Sequence, residues 1–354
     1  MSLTEKLGAD EPILMIDGSF KAVKDIQVGD IIMGTDNQRG TVTSICSAIS
    51  KMYQVTPTIG EPFKVSDKFI FSLRCGTKTK ITKLQTYYKV RWIEDGHSVS
   101  EYFKFSSFKS EEEAEKEALN FIEYLNPKIG IMSISIEDYT IKPKGEWKKM
   151  YKGYRTSVDF PHRDVGVDLD PYCLGLWLGD GTSAGSTITT IDREIIDKIQ
   201  QIYPDLWVKQ LKDKKNFSIR AFKPRPSRLN NPSPNRFLNG LKHYNLIDNK
   251  HIPADFKYND RETRLKVLAG FLDTDGNFDK NCYEIAQKSD INAEGIIFLA
   301  RSLGFQCTNN KREKTCTNSS HGRVTGIYNI IMISGEGLET IPTILERKKA
   351  APRR

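Results

Sequence analysis

Leu268-Ala269-Gly270-Phe271-Leu272-Asp273-Thr274-Asp275-Gly276 decides how this chain is read, because the pattern occurs twice. The other copy is Cys173-Leu174-Gly175-Leu176-Trp177-Leu178-Gly179-Asp180-Gly181, offset by 275 − 180 = 95 residues. Each copy is an apolar helical stretch closed by an Asp-Gly pair. Gly175 and Gly179 stand four apart, as do Gly270 and Thr274, so each helix carries two small residues on one face. Two such helices can approach until their backbones nearly touch. The chain breaks at Gly181 and Gly276, which leaves Asp180 and Asp275 at adjacent helix ends. Two carboxylates brought together there repel unless a divalent cation lies between them. Oxygen-only ligation suits Mg²⁺, which keeps waters and takes a phosphate as a further ligand, with Mn²⁺ as a substitute. That arrangement serves hydrolysis of a phosphodiester on each strand of a duplex.

Working outward, the α/β pattern of each half continues beyond its motif. Pro171 to Gly181 opens the first half and Arg264 to Gly276 the second, each followed by alternating strands and another helix. In the second half that helix is expected over Ala293 to Leu303, closed by Gly304 at C′. The spacing fits a duplicated domain. The charge pattern points to a polyanionic partner. The chain of 354 residues carries 53 basic against 45 acidic side chains, net +8. Between Trp207 and Lys257 basic residues crowd together, among them Lys209, Lys212, Arg220, Lys223, Arg225, Arg228 and Lys250. A solvated lysine-rich face is the other reading of that stretch. No apolar run approaches eighteen residues and no secretory signal stretch is present, so a soluble intracellular protein without a membrane partner is expected. The expected compartment is the nucleus in a eukaryote and the cytoplasm otherwise. Six scattered cysteines without a CxxC pair argue against a zinc site or a disulfide framework.

Upstream, residues 12–75 read as all-β: short apolar runs broken by turn signals such as Asp17-Gly18 and Val28-Gly29-Asp30. Residues 86–126 form a different unit. Tyr87 to Ile93 reads as a strand, Asp95-Gly96 as a hairpin turn, and His97 to Phe105 as a second strand. Ser110 and Glu113 make a capping box for a helix whose apolar face is Ala114, Ala118, Phe121, Ile122 and Leu125.

The two nine-residue segments align with the signature of the LAGLIDADG endonucleases, the second closely. The first departs more but keeps its glycines and final acid. Asn249-Lys250-His251-Ile252-Pro253 resembles the segment that carries an active-site lysine in the intein-encoded members, and Lys348-Lys349 stands where the second half would close on its own lysine. From Asp180 to Lys250 is 250 − 180 = 70 residues, and from Asp275 to Lys349 is 349 − 275 = 74. A lysine there stabilises the charge of the pentacoordinate phosphate or polarises the attacking water. The resemblance implies a sequence-specific double-strand DNA endonuclease of the homing or mating-type-switching kind, a monomer with pseudo-two-fold symmetry. The implied fold is a duplicated α/β (α+β) core with saddle-like antiparallel sheets. Asp180, Asp275, Lys250, Lys348 and Lys349 are the catalytic candidates. Asp180, Asp275, Gly179 and Thr274 are the metal-site candidates. Strands after each motif helix are expected to read DNA through Ser218 and Arg220, with Phe217, Ile219 and Ala221 facing the core. Lys209, Lys212, Lys223, Arg225 and Arg228 join them in the first half, and Lys288, Lys311 and Arg312 in the second.

Residues 6–73 resemble the first half of a Hint splicing domain, through Asp10-Glu11-Pro12, Asp17-Gly18-Ser19, Val28-Gly29-Asp30, Met52-Tyr53 and Val65-Ser66-Asp67. Lys6 stands where splicing requires Cys or Ser, and Phe69 replaces the activating histidine in Ser66-Asp67-Lys68-Phe69. With no closing His-Asn pair before Arg354, the expectation is a degenerate scaffold that does not splice. Residues 86–126 resemble AP2-type DNA-binding modules, with Lys89, Arg91, Trp92 and Lys104 as DNA contacts; a small satellite packing domain is the alternative. The expected division is Hint-like 1–80, insert 81–130, a Hint-like return and linker 131–167, and an endonuclease domain 168–354 with repeats at 168–260 and 261–350. Two further readings belong to other classes. One is a cleavage-dead, maturase-like DNA- or RNA-binding relative, which the retention of both Asp180 and Asp275 opposes. The other is a truncated intein, which Phe69 opposes.

Overall fold

The computed structural model describes residues 7–34, 37–58, 60–75, 80–94, 97–125, 131–142, 151–153, 155–221, 235–319 and 322–352. Lys6, Asp95, Gly96, Lys223, Arg225 and Arg228, singled out above, lie outside them. Two compact units emerge. One comprises Met1–Ile13, Phe20–Asp30 and Thr41–Tyr154; the other comprises Leu14–Ser19, Ile31–Gly40 and Arg155–Arg354.

Short strands begin the chain: β1 (Pro12–Leu14), β2 (Phe20–Ala22), β3 (Ile31–Met33), β4 (Arg39–Thr41), β5 (Met52–Val55) and β6 (Phe63–Ser66). Then come β7 (Ile70–Cys75), β8 (Lys80–Lys83), β9 (Tyr87–Glu94), β10 (His97–Lys104), α1 (Glu111–Leu125), β11 (Ile131–Ser135), α2 (Ile136–Ile141) and β12 (Tyr151–Gly153). In the first unit β5 pairs with β6, and β7 lies between β11 and β12 over a small core of Leu73, Ile134 and Tyr151. The insert is an antiparallel sheet in the order β10-β9-β8 with α1 against one face. Strand alternation sends Tyr88, Val90 and Trp92 to that face, where they meet Ala114 and Ala118. Ser110 Oγ accepts the Glu113 amide at 3.2 Å, while the Glu113 carboxylate reaches back one residue further than expected, to the Lys109 amide at 2.7 Å.

The second unit holds the two motif helices. Its elements are α3 (Pro171–Asp180), β13 (Thr187–Thr189), α4 (Arg193–Ile202), β14 (Leu206–Gln210), β15 (Asn216–Ala221), α5 (Arg236–His243) and α6 (Ala254–Lys257). They continue with α7 (Arg261–Thr274), β16 (Gly276–Asp279), β17 (Cys282–Gln287), α8 (Asp290–Ser302), β18 (Gln306–Ser319) and β19 (Gly322–Ser334). Antiparallel sheets β13-β15-β14 and β16-β17-β19-β18 each turn one face to a core shared with α3 and α7. Asp170 caps α3 through the Cys173 amide at 3.0 Å, with Pro171 in the first turn. Asp260 caps α7 through the Thr263 amide at 2.7 Å, which starts that helix at Arg261. Ser289 likewise caps α8, so it begins at Asp290 rather than Ala293, and Gly304 follows its end at φ +89°.

A strap of upstream chain holds the start of α7. Fully buried Arg264 donates to the carbonyls of Val158 and Asn259 and to Ser302 Oγ, and lies over the Phe160 ring at 5.0 Å. The turn at Gly18 (φ +83°) sits on Tyr258, leaving no room for a Cβ, and Arg163 donates to the Asp17 carbonyl at 2.5 Å. Among the described residues no helix is long and apolar enough to cross a membrane.

Candidate active site

The seam between α3 and α7 is built from the glycines. A Cβ on Gly175 would strike the Val267 carbonyl, and one on Gly270 would strike the Tyr172 carbonyl and the Leu176 amide. The obstacles are backbone atoms, which cannot swing aside. At Gly179 the obstacle is a side chain instead: a Cβ there would strike Thr274 Oγ1 and would lie 3.6 Å from Asp275 Cγ. The seam therefore ends with Asp180 and Asp275 side by side, both partly buried. Neither carboxylate accepts a hydrogen bond from another described residue.

Two lysines cap the helix ends. Lys250 Nζ donates to the carbonyls of Gly181 (2.7 Å), Leu178 (3.1 Å) and Gly179 (3.3 Å), with the Trp177 ring 4.9 Å away. Lys348 Nζ donates to Asp273 (2.7 Å), Leu272 (2.9 Å) and Thr274 (3.1 Å). Leu178 and Gly179 correspond to Asp273 and Thr274 in the motif alignment, so the two amines occupy equivalent places. Cationic amines there also complement the partial negative charge of a helix C-terminus. The second lysine is thus Lys348, and the separation becomes 348 − 275 = 73 residues. Lys349 is a correction: half-exposed, it turns its amine to Glu346 at 2.7 Å. A short 3-10 turn at Glu346–Lys348 decides which lysine faces inward.

Burial governs the electrostatics. It pushes Asp275 up to about 6, helped by the neighbouring Asp180 charge and opposed by Lys250 and Lys348. Burial also raises Asp180, against the pull of Lys348 and Lys250. Lys250 is pushed down to about 8 by burial, despite both aspartates, and Lys348 is lowered for the same reason. The centre holds two acids and two bases, all short of water and poorly matched to one another. Of the metal-site candidates, Gly179 and Thr274 offer backbone carbonyls that are already engaged at one lone pair. Each carbonyl accepts a lysine, and Thr274 Oγ1 donates into its own helix at 2.9 Å to Gly270.

Asp273, unassigned from sequence, is nearly fully buried. It accepts the Ile344 amide (2.8 Å), the Leu345 amide (3.3 Å) and the Tyr172 hydroxyl (2.9 Å). Its counterpart in the first motif is Leu178, and that acid-for-leucine difference was the sequence signal.

Both sheets of the second unit also have an open face. In the first sheet Thr187, Trp207, Lys209, Ser218 and Arg220 share it by register. Arg220 and Lys209 are exposed and Lys212 follows in the turn. Ser218 is a correction: on the central strand it is only 8% exposed, and its hydroxyl accepts from Arg220 at 3.0 Å. Phe217 and Ile219 face the core as expected. In the second sheet the open face carries Asn310, Arg312, Lys314 and Tyr328. Lys311 is also corrected, because it lies on the opposite face, paired with Asp290 at 3.0 Å. Lys288 is exposed beyond β17. Lys314 and Tyr328 were missed, although two-residue alternation from Arg312 reaches Lys314. In the insert, Lys89, Arg91 and Lys104 share the face away from α1, joined by Lys80 and Tyr102. Trp92 does not: it is buried against Phe121, ring centroids 5.4 Å apart.

Residues 8–141 match the family model "Hom_end-associated Hint", and residues 251–343 match "Homing endonuclease". The replicative DNA helicase DnaB of Mycobacterium intracellulare is 30% identical over 166 residues, 46% of this chain and 24% of that protein. The homothallic switching endonuclease of Saccharomyces cerevisiae is 24% identical over 380 residues, 85% of this chain and 64% of that protein. The chain thus spans a quarter of one curated relative and just under two thirds of the other. Among solved structures, mesophilic variants of the homing endonuclease I-DmoI align with 51% of this chain and 95% of theirs, at 15% identity and TM-score 0.33. Residues 8–141 are thus similar to the Hint regions associated with homing endonucleases, and residues 251–343, which include the second motif helix, are similar to the homing endonucleases themselves.

Proposed function

We propose that this chain hydrolyses phosphodiester bonds in both strands of a long, asymmetric DNA site, using divalent cations held by Asp180 and Asp275. The observation that carries this reading is the pair of unpartnered carboxylates at the helix seam, each beside a lysine that caps its helix. Among the described residues no cluster of three or more metal-binding side chains exists. Two carboxylates, waters and a DNA phosphate make the donor set that Mg²⁺ accepts and that Mn²⁺ can share. A solved relative, I-DmoI, is described in complex with DNA and Mn. The bound cation supplies Lewis acidity and a water of lowered pKa. Asp180 and Asp275 provide the negative charge that holds it, and Lys250 and Lys348 stand ready to meet the charge developing on the phosphate. The open sheet faces bearing Lys209, Arg220, Arg312 and Lys314 supply groove and phosphate contacts, and the insert face with Lys80, Lys89, Arg91 and Lys104 adds a second contact on the same chain. One chain carries both half-sites, so a monomer suffices. Plasmid cleavage and gel shift on Asp180→Asn and Asp275→Asn test the assignment. Either change should cut the rate by roughly three orders of magnitude, at ~1.4 kcal/mol per tenfold, with DNA affinity kept. Full cleavage by either variant would overturn it.

A further inference from the structure

The two lysines sit alike but are held differently. Lys348 belongs to a C-terminal segment fixed at two points. Asp273 takes the amides of Ile344 and Leu345, and Arg347 makes a bidentate pair with Asp192, at 2.8 and 2.7 Å. Asp192 comes from the other repeat, at the N-cap of α4. The clamp therefore crosses from the first repeat to the residue next to Lys348. The Lys348 carbonyl is held as well, by the Tyr283 hydroxyl at 2.6 Å.

Among the described residues none of this recurs on the Lys250 side. Asp273 corresponds to Leu178, which accepts nothing through its side chain. Arg347 corresponds to Asn249, whose amide donates to the Asn245 carbonyl at 3.0 Å within its own loop. Asp192, the cap of α4, corresponds to Ser289, the cap of α8, whose hydroxyl accepts the Asn292 amide at 3.3 Å. Lys250 rests instead on the Trp177 ring and on the carbonyls of α3 and Gly181.

We propose that Asp192, through Arg347, is a positioning residue for Lys348 alone, so that the two strands of the DNA are cut by half-sites whose lysines are set independently. Asp273 serves the same segment from within the core. The proposal rests on the catalytic reading above. Asp192 touches no reacting atom in it; its role is to hold the backbone that aims the Lys348 amine. A bidentate pair fixes direction as well as distance. Misplacement of a catalytic group by about 1 Å costs on the order of a hundredfold.

The test measures single-turnover cleavage of a target duplex labelled on each strand separately, with full-length Asp192→Asn and Arg347→Gln. One strand should slow by about ten- to a hundredfold and the other should keep its rate, so that nicked product accumulates. The ratio of strand rates within one sample does not depend on how much protein is folded. DNA affinity should be unchanged, and Asp192→Glu should restore part of the lost rate. In a Lys348→Ala background, Asp192→Asn should add little, because its positioning effect passes through that amine and only its distant charge bears on Asp180. Equal slowing of both strands, an unmoved ratio, or a further full-sized loss in the Lys348→Ala background would each overturn the proposal. Failure of the catalytic reading shows differently: Asp275→Asn would then still cleave.

Discussion

Replacing Asp275 with Asn should make the metal-free protein more stable, and only above a definite pH. The carboxylate is pushed from its ordinary value of 3.8 to about 6 by burial and by Asp180. Between those values the folded protein binds a proton that the unfolded chain does not. Wild-type stability therefore falls as pH rises from about 4 to 6, and the loss is complete above 6. At ~1.4 kcal/mol per unit the shift amounts to about 3 kcal/mol, and partial contact with water brings the expected value nearer 2 kcal/mol. Asn has the same shape and no charge, so it escapes this penalty. For a unit of this size the variant should melt about 4–8 °C higher at pH 8 without metal, and level with wild type near pH 4. Mg²⁺ should reverse the order. A cation between the two carboxylates cancels their repulsion and stabilises the wild type by about 2.7 kcal/mol at a hundred times its Kd, while the variant gains little. Calorimetric melts of both proteins at pH 4, 6 and 8, with EDTA and with Mg²⁺, read all of this. A metal-free variant no more stable than wild type at pH 8, or a gain independent of pH, would refute the electrostatic reading of the pair.

Three other expectations follow from the geometry. Lys250→Ala and Lys348→Ala should each slow one strand and leave nicked plasmid, whereas Lys349→Ala should cleave at the wild-type rate, because that amine faces Glu346; a defect in Lys349→Ala on plasmid assays would reverse the choice of lysine. Gly175→Ala should destabilise the second unit by about 3 kcal/mol or more, beyond ordinary overpacking, because its Cβ meets the Val267 carbonyl; a melt within error of wild type would mean that the helices are further apart. Trp92→Ala should unfold the insert, costing about 3–5 kcal/mol, while Lys89→Ala and Arg91→Ala should leave the fold intact and lower the salt slope of DNA binding by about one each; if Trp92→Ala keeps the insert folded and loses DNA affinity alone, its burial has been misread.

The motif helices were legible because their function demands an unusual composition. Glycines four apart permit close approach, and an Asp-Gly pair ends each helix, so two copies sufficed to place Asp180 and Asp275 together. Lys250 was legible from its surrounding segment. Lys348 was not separable from Lys349, since one residue along a short turn reverses the direction of a side chain and only Asp273 and Asp192 settle which faces inward. Trp92 shows a signal passed over: alternation already placed it with Tyr88 and Val90, away from Lys89 and Arg91. Lys311 illustrates the converse. Its parity on a strand depends on which neighbour is core, and Cys307 and Ile333 revealed that only once paired. That residues 14–19 and 31–40 join the second unit could not be read at all, because the contact of Gly18 with Tyr258 is a matter of shape between segments far apart in sequence.

The central claim is a metal-dependent, sequence-specific cut at the Asp180–Asp275 centre. Its most direct test is cleavage selection on a plasmid library carrying a long randomised insert, run with wild type and Asp180→Asn, each with Mg²⁺ and with EDTA. The account predicts linear product from the wild type with Mg²⁺ alone, and enrichment of one extended asymmetric sequence among the cut molecules. Linear product from Asp180→Asn at the wild-type rate, cutting in EDTA, or cut molecules with no shared sequence would contradict it.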